Sequence, residues 1–193
     1  AKEGHHLVYA ASGSVDSLGG GVYHYNVDKA ERTPLLSSHY KTKYPQLGIS
    51  ESGRRISFIV DADSTKSLIK KPKLYAWNQG DDAANLIVAS EKNASKLIVS
   101  KDRRLQFSKN EERLFFGLKQ TPVVKDTTLL DEEIVNVEVW TYDEPRLYTV
   151  QELDVKDDKK KSYLSLYDFN KNKMLQIADS KFDIARYADE GNA

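Results

Sequence analysis

Gly53-Arg54-Arg55-Ile56-Ser57-Phe58 is the stretch that decides the fold, because its pattern recurs along the chain. The pattern is a glycine, a variable residue, a basic residue, an apolar residue, a variable residue and an aromatic. An earlier copy is Gly4-His5-His6-Leu7-Val8-Tyr9, and a looser copy is Glu111-Glu112-Arg113-Leu114-Phe115-Phe116. The final aromatics of successive copies are 49 and 58 residues apart. Period-two alternation in and around these copies predicts a β-strand in each.

A second pattern, aromatic-x-aromatic-Asn/Asp, occurs four times. We expect its aromatics to pack on one face of a strand and its final Asn or Asp to start a turn through a side-chain hydrogen bond. The copies are Tyr23-His24-Tyr25-Asn26, Tyr75-Ala76-Trp77-Asn78, Trp140-Thr141-Tyr142-Asp143 and Tyr167-Asp168-Phe169-Asn170.

The two patterns alternate along the chain, which indicates a repeating unit of roughly 40–50 residues with about four strands. We therefore predict an all-β chain forming a partial β-propeller of about three to four blades, each a four-stranded antiparallel sheet. The expected blades span residues 1–45, 46–100, 101–150 and an irregular 151–193. Because a closed propeller needs more blades, we also expect open strand edges and self-association through them.

The strand and helix predictions follow the same periodicity. One weak helix is expected at Ser180–Ala188, and the remaining periodic segments are expected to be strands. Besides Leu7–Tyr9 and Ile56–Val60, the predicted strands are Val22–Asn26, Leu74–Asn78, Leu105–Ser108, Leu114–Leu118, Val135–Val139, Leu147–Leu153, Tyr163–Phe169 and Met174–Ala178.

Composition excludes several classes of function. Of the 193 residues, 29 are Lys or Arg and 29 are Asp or Glu, so no net charge attracts nucleic acid or an acidic membrane. The chain has no cysteine, which removes disulfides, Cys-based zinc sites and a thiol nucleophile. Its apolar runs are far shorter than the ~20 residues that span a bilayer. We expect the sequence to be a segment of a longer protein.

The Ser-x-x-Gly-x-x-apolar-x-Phe repeat resembles the propeller repeats of TolB-like proteins and of prolyl-oligopeptidase or dipeptidyl-peptidase-IV-like serine peptidases. A more specific resemblance, to the N-terminal propeller of large bacterial peptidases of the Bacteroidota type, lies in residues 105–117, 125–133 and 137–142. Residues 125–142 are its most discriminating part, because the general repeat does not account for them.

The resemblance implies a propeller that gates or positions peptides for a separate α/β-hydrolase domain. That hydrolase needs a Gly-x-Ser-x-Gly elbow, and no two glycines of this chain lie four residues apart. We therefore expect the chain itself not to be an enzyme, while its parent is a serine-type peptidase. The resemblance also implies a periplasmic or cell-envelope location and a peptide substrate as the partner. The alternative is a stand-alone TolB-like propeller that acts as a protein-binding scaffold in the envelope.

The substrate-binding candidates are Glu132 and Glu133. In dipeptidyl-peptidase-IV-like enzymes, paired propeller glutamates bind the free amino terminus of the substrate, since two carboxylates match the charge and donors of an ammonium. A solvated acidic loop is the other interpretation of this pair, which lies in the insertion-like segment 121–136.

No cofactor or metal is expected. The stretch Asp61–Thr65 opens like a calcium loop, but Lys66 and Pro72 stand where an EF-hand has Gly and Glu. Two of the four histidines, His5 and His6, are expected in a solvated turn. His24 is expected to point away from the packed face of its aromatic neighbours.

Overall fold

The computed structural model describes residues 2, 4–12, 19–38, 41–63, 66–89, 97–124 and 146–182. The chain forms two compact units. The larger unit is residues 1–121 together with 162–193, and the smaller is residues 122–161.

The larger unit contains three antiparallel sheets. In sheet 1 the strands are β1 (His6–Ala11), β2 (Gly20–Asn26) and β3 (Glu31–Ser38), in that order. In sheet 2 they are β4 (Lys43–Ile49), β5 (Arg55–Asp61), β6 (Lys73–Asn78) and β7 (Asn85–Ala89), also in chain order.

Sheet 3 has the order β12-β11-β10-β8, with the short β9 also paired to β10. Its strands are β8 (Leu97–Val99), β9 (Gln106–Phe107), β10 (Arg113–Gln120), β11 (Tyr163–Asp168) and β12 (Lys173–Gln176). Because β8 and β9 pair with opposite ends of β10, sheet 3 is a four-position meander like sheet 2.

The three sheets share one strand register. The first residue of β1, β5 or β10 pairs with the last residue of β2, β6 or β11 in its own sheet. The pairs are His6 with Asn26, Arg55 with Asn78, and Arg113 with Asp168. The spacings of 49 and 58 residues between these starting positions equal those between the sequence copies. Successive antiparallel meanders in one register make this all-β unit a partial β-propeller, as predicted.

The hydrophobic core consists of two clusters, and the strand β5 contributes to both. Ile56, Phe58 and Val60 pack in one cluster with Val22 and Leu35 of sheet 1. Ile59, on the opposite face of β5, packs in the other cluster with residues of sheet 3. Since successive strand residues point to opposite faces, sheet 2 buries apolar side chains on both sides.

The segment Leu147–Leu153 was predicted as a strand, and this prediction is wrong. Residues Tyr148–Asp158 form the helix α1 in the smaller unit. Leu147, Val150 and Leu153 recur every three residues, a spacing that fits a helix better than a strand. Arg146 also pairs with Asp154 and Asp158 at 3.3 and 2.8 Å, which requires helical spacing of the two carboxylates.

Sheet 3 contains strands from three of the predicted blades: β8 from 46–100, β9 and β10 from 101–150, and β11 and β12 from 151–193. The strands β10 and β11 pair directly, although residues 121–162 separate them in the chain. The smaller unit is inserted between β10 and β11 and lengthens the repeat here. The sequence therefore assigns these two paired strands to different blades.

The last copy of the aromatic pattern starts two residues earlier than predicted. The register aligns Asp168, not Asn170, with Asn26 and Asn78. Asp168 Oδ1 accepts hydrogen bonds from the amides of Asn170 and Lys171, just as Asn26 Oδ1 accepts from Asp28 and Lys29. The prediction of a side-chain hydrogen bond that starts the turn is thus confirmed at Asn26, whereas in the last copy the turn starts from Asp168 and not from the predicted Asn170.

Several predicted segments lie wholly or partly outside the described residues. The strand Val135–Val139 and the copy at Trp140 are outside, and of Ser180–Ala188 only residues 180–182 are described, with no helix there. The other predicted strands are confirmed within a few residues at their ends. Periodicity missed β3, β4, β7 and β8. In β3, Pro34 stands opposite a register shift at Tyr23, which an outer strand can accommodate.

The buried aromatic of the repeat provides a stability test. Phe58 is fully buried, so Phe58→Ala is expected to lower the free energy of unfolding by about 3–5 kcal/mol. Leu86→Ala is the control, because Leu86 on β7 is 45% exposed and its truncation should cost less than about 1 kcal/mol. Urea denaturation of both variants measures the difference, and equal losses would contradict the described core.

Candidate functional site

A cleft of about 800 Å³ lies in the larger unit where turns from all three sheets converge. The turn before β1, the β4–β5 turn and the β9–β10 turn supply most of its walls. The cleft carries both signs of charge, with three acidic and three basic side chains besides two histidines. They are Asp28, Glu51 and Glu111, then Lys2, Arg54 and Lys109, and finally His5 and His6.

The walls are held by one type of turn, which occurs once in sheet 2 and once in sheet 3. In the β4–β5 turn, the Arg55 amide donates to Ser50 Oγ at 3.1 Å, and in the β9–β10 turn the Arg113 amide donates to Ser108 Oγ at 3.0 Å. The serine backbone amides also donate to the carbonyls of Arg55 and Arg113. This closure explains why a serine precedes both copies of the sequence repeat.

Each turn needs a left-handed backbone residue two positions before its strand. Gly4 and Gly53 fill this position with φ of 78° and 80°, and Glu111 fills it with φ of 61°. Glycine adopts this conformation without a steric penalty, whereas Glu111 does not. The departure of the third copy from glycine therefore leaves the turn intact but strains its backbone.

The Glu111 side chain joins the turns of sheets 2 and 3. Its carboxylate accepts hydrogen bonds from the Ser52 amide at 2.8 Å and from Ser52 Oγ at 2.9 Å. A carboxylate with two donors makes stronger hydrogen bonds than a neutral acceptor. This contact compensates for the strained backbone and fixes one wall of the cleft.

The remaining charges of the cleft are more loosely held. His5 Nδ1 lies 2.9 Å from Asp28 Oδ1, and Lys2 Nζ lies 3.8 Å from Glu51, with all four side chains about half exposed or more. Such exposed pairs contribute little to stability. Within the described chain, the Arg54 guanidinium has no hydrogen-bond or ion-pair partner, so its five donors face the cleft and solvent.

His6 lines the cleft, and His24 lies behind it, between His6 and sheet 2. His6 Nδ1 and His24 Nε2 are 2.9 Å apart and share a hydrogen bond. The His24 ring is only 6% exposed, and its other side packs against Trp77 with 5.1 Å between ring centroids. Burial lowers the pKa of His24, the charge of His6 lowers this pKa further, and Glu31 partly opposes the shift.

Arg55 occupies in sheet 2 the register position that His6 occupies in sheet 1. Its guanidinium lies over the Phe169 ring, 4.4 Å from the centroid, and so connects sheets 2 and 3. His6 likewise reaches the following sheet, because a Cβ at Gly53 would lie 2.5 Å from its ring.

The predicted substrate residues Glu132 and Glu133 lie outside the described residues. His5 is exposed in a turn, as expected, whereas His6 is the first residue of β1, is partly buried and lines the cleft, so its prediction as a residue of a solvated turn is wrong. His24 points away from the face that carries its strand neighbours Tyr23 and Tyr25, as expected, but its ring is buried against Trp77 of sheet 2, which the sequence did not predict. The repeat aligned His6 with Arg55, but packing between sheets leaves no sequence pattern that would reveal the contact of His24.

The aspartates of the calcium-like stretch make protein contacts instead. Asp61 is buried and pairs with Lys70 at 3.3 Å, while Asp63 accepts a hydrogen bond from the Lys71 amide. Within the described ranges, no three His, Asp or Glu side chains are grouped to hold a metal ion. No helix in this part of the chain is long and apolar enough to cross a membrane.

Comparisons with known proteins gave matches among solved structures only. No protein-family model and no curated protein matches the chain. The β-propeller domain of the Trilobed protease from Pyrococcus furiosus is similar with a TM-score of 0.47 and 10% identity, over 92% of this chain and 41% of that chain. TolB from Acinetobacter baumannii is similar with a TM-score of 0.43 and 9% identity, over 93% of this chain and 31% of that chain. The chain thus spans less than half the length of either structure.

The strained turn gives a test of the cleft wall. Glu111→Ala and Glu111→Gly both remove the hydrogen bonds to Ser52, but only glycine relieves the backbone at φ 61°. The glycine variant is therefore expected to be more stable than the alanine variant by roughly 1 kcal/mol.

Glu112 serves as the matched control, because its backbone is not left-handed. At this position the order should reverse, with the glycine variant less stable than the alanine variant by about 0.5–1 kcal/mol. Chemical denaturation of the four variants measures both differences. The same order at both positions would contradict the described turn.

Proposed function

We propose that this chain is a non-catalytic propeller segment of a serine peptidase of the prolyl-oligopeptidase family, which gates or positions peptides for a hydrolase domain elsewhere in the protein. The mixed-charge cleft carries the proposal. A peptide presents amino and carboxyl groups as well as main-chain donors and acceptors, and the cleft offers groups that match each of these. The missing Gly-x-Ser-x-Gly elbow supports a non-catalytic role for this chain, and the resemblance of residues 125–142 supports the peptidase assignment of the parent.

The character of the cleft favours transient contact with peptides. Its ion pairs are exposed and it lies open to solvent, so each contact contributes little binding energy. Weak binding suits a domain through which substrates pass on their way to a reactive site. In this proposal Glu132 and Glu133 bind the amino terminus of the substrate, and the parent protein works in the periplasm or envelope.

The second candidate is a stand-alone TolB-like scaffold that binds other proteins. The edge of sheet 1 favours it: within the described chain β1 pairs only with β2, and Leu7 and Tyr9 on β1 are 50% and 37% exposed. An open strand edge with exposed apolar residues can pair with another chain. In this proposal the chain associates with itself or with a partner strand through β1.

The parent protein separates the two candidates. If the chain belongs to a peptidase, the full natural protein should hydrolyse peptides and lose this activity with a serine-directed phosphonate. The isolated chain should show no hydrolysis. A parent protein without hydrolase activity and without phosphonate labelling would contradict the peptidase assignment and leave the scaffold.

Binding at the cleft is tested on the chain itself. We expect the peptide Lys-Ala-Ala-Ala-Glu to shift the amide NMR signals of Ser52, Gly53 and Arg54. Arg54→Ala should weaken these shifts because it removes the unpaired guanidinium, whereas Lys173→Ala on the exposed part of β12 should not change them. Shifts that are absent, or that survive Arg54→Ala unchanged, would contradict peptide binding at this cleft.

A further inference from the structure

The hydrogen bond between His6 and His24 depends on their protonation. A neutral imidazole has one donor nitrogen and one acceptor nitrogen, while an imidazolium has two donors and no acceptor. The 2.9 Å contact between His6 Nδ1 and His24 Nε2 therefore needs at least one neutral ring. With both rings protonated, two N–H groups and two positive charges would face each other.

The same pair lies between sheets 1 and 2. Both histidines belong to sheet 1, where their rings stack with 5.1 Å between centroids and an angle of 18°. On the side of sheet 2, His24 packs against Trp77, whose indole Nε1 donates to the Asp81 carbonyl. His6 covers Gly53, because a Cβ placed there would lie 2.5 Å from its ring.

The charges around the pair oppose a second proton more than they favour it. Burial and the charge of His6 act against protonation of His24, and Glu31 on β3 favours it. On the cleft side of His6, Asp28 is engaged by His5 and Glu51 by Lys2, while Arg54 adds a positive charge. Two of the acidic groups that could stabilise an imidazolium are therefore already paired.

We propose that His6 and His24 form a proton-sensitive joint between sheets 1 and 2. At neutral pH one N–H joins the two rings and His24 stays packed on Trp77. On acidification each ring takes up a proton from solvent, so that two N–H groups face each other, the hydrogen bond is lost and the two imidazolium rings repel each other. His24 then leaves Trp77, and the cleft that His6 lines opens on this side. This inference does not depend on which molecule the cleft binds.

The direction of the pH effect follows from linkage. The pKa of His24 is lower in the folded chain than its ordinary value of 6.5, so the unfolded chain takes up the proton more readily. The stabilisation by the joint is complete above about pH 6.5 and decreases as the pH falls towards the folded pKa.

Fluorescence of Trp77 reports the joint directly. The chain has two tryptophans, so Trp140→Phe leaves Trp77 as the only emitter. We expect its emission to change cooperatively with a midpoint below pH 6.5 as His24 becomes charged. In this background His24→Gln should abolish the change. His5→Gln removes a neighbouring histidine outside the pair and should preserve the change.

Histidine ring NMR on the unmodified chain keeps the test independent of whether the His24 variant folds. The ring signals of His24 should titrate with a midpoint below 6.5. A His24 midpoint at or above 6.5, Trp77 emission that does not follow it, or a pH response that survives His24→Gln would each overturn the proposal.

Discussion

The hydrogen bond from a strand amide to a preceding serine hydroxyl is the contact on which the arrangement of the sheets depends. Ser50 and Ser108 accept it from the amides of Arg55 and Arg113, and so set where β5 and β10 begin. Because a shift of one residue would exchange the two faces of a strand, this start determines which side chains are buried. In β5 it directs Phe58 towards sheet 1 and Ile59 towards sheet 3.

This contact also explains which parts of the fold could be predicted. The residues around it must be repeated for the turn to form, so the copies at Gly53 and Glu111 stand out and, together with the glycine copy at Gly4, give the blade spacing. The outer strand β3 has a single buried residue, Leu35, and carries little periodic signal. The helix α1 has no buried residue, so no core contact marks it in the sequence. The candidate site was harder to predict from the sequence than the fold, because the contact of His24 with Trp77 forms between two sheets rather than within one strand.

His6 and Arg55 hold the same register position in sheets 1 and 2, but their side chains differ in how they respond to pH. Both begin the strand that follows the left-handed turn, and both reach the next sheet, His6 at Gly53 and Arg55 at Phe169. Arginine keeps its charge at all physiological pH values, whereas histidine can lose or gain a proton. The contact of Arg55 with Phe169 therefore does not change with physiological pH, whereas the contact of His6 with Gly53 can.

Disulfide trapping tests the shared register most directly, because the chain has no cysteine of its own. Arg113 and Asp168 are partners on adjacent strands despite the long insertion between them, whereas Lys173 lies one strand further away. Adjacent strands are about 5 Å apart, within the range that a disulfide spans, and two strand spacings exceed it. Mild oxidation should cross-link the Arg113→Cys/Asp168→Cys variant and leave the Arg113→Cys/Lys173→Cys variant reduced. Equal cross-linking of the two variants, or none in the first, would contradict the register that unites the three sheets.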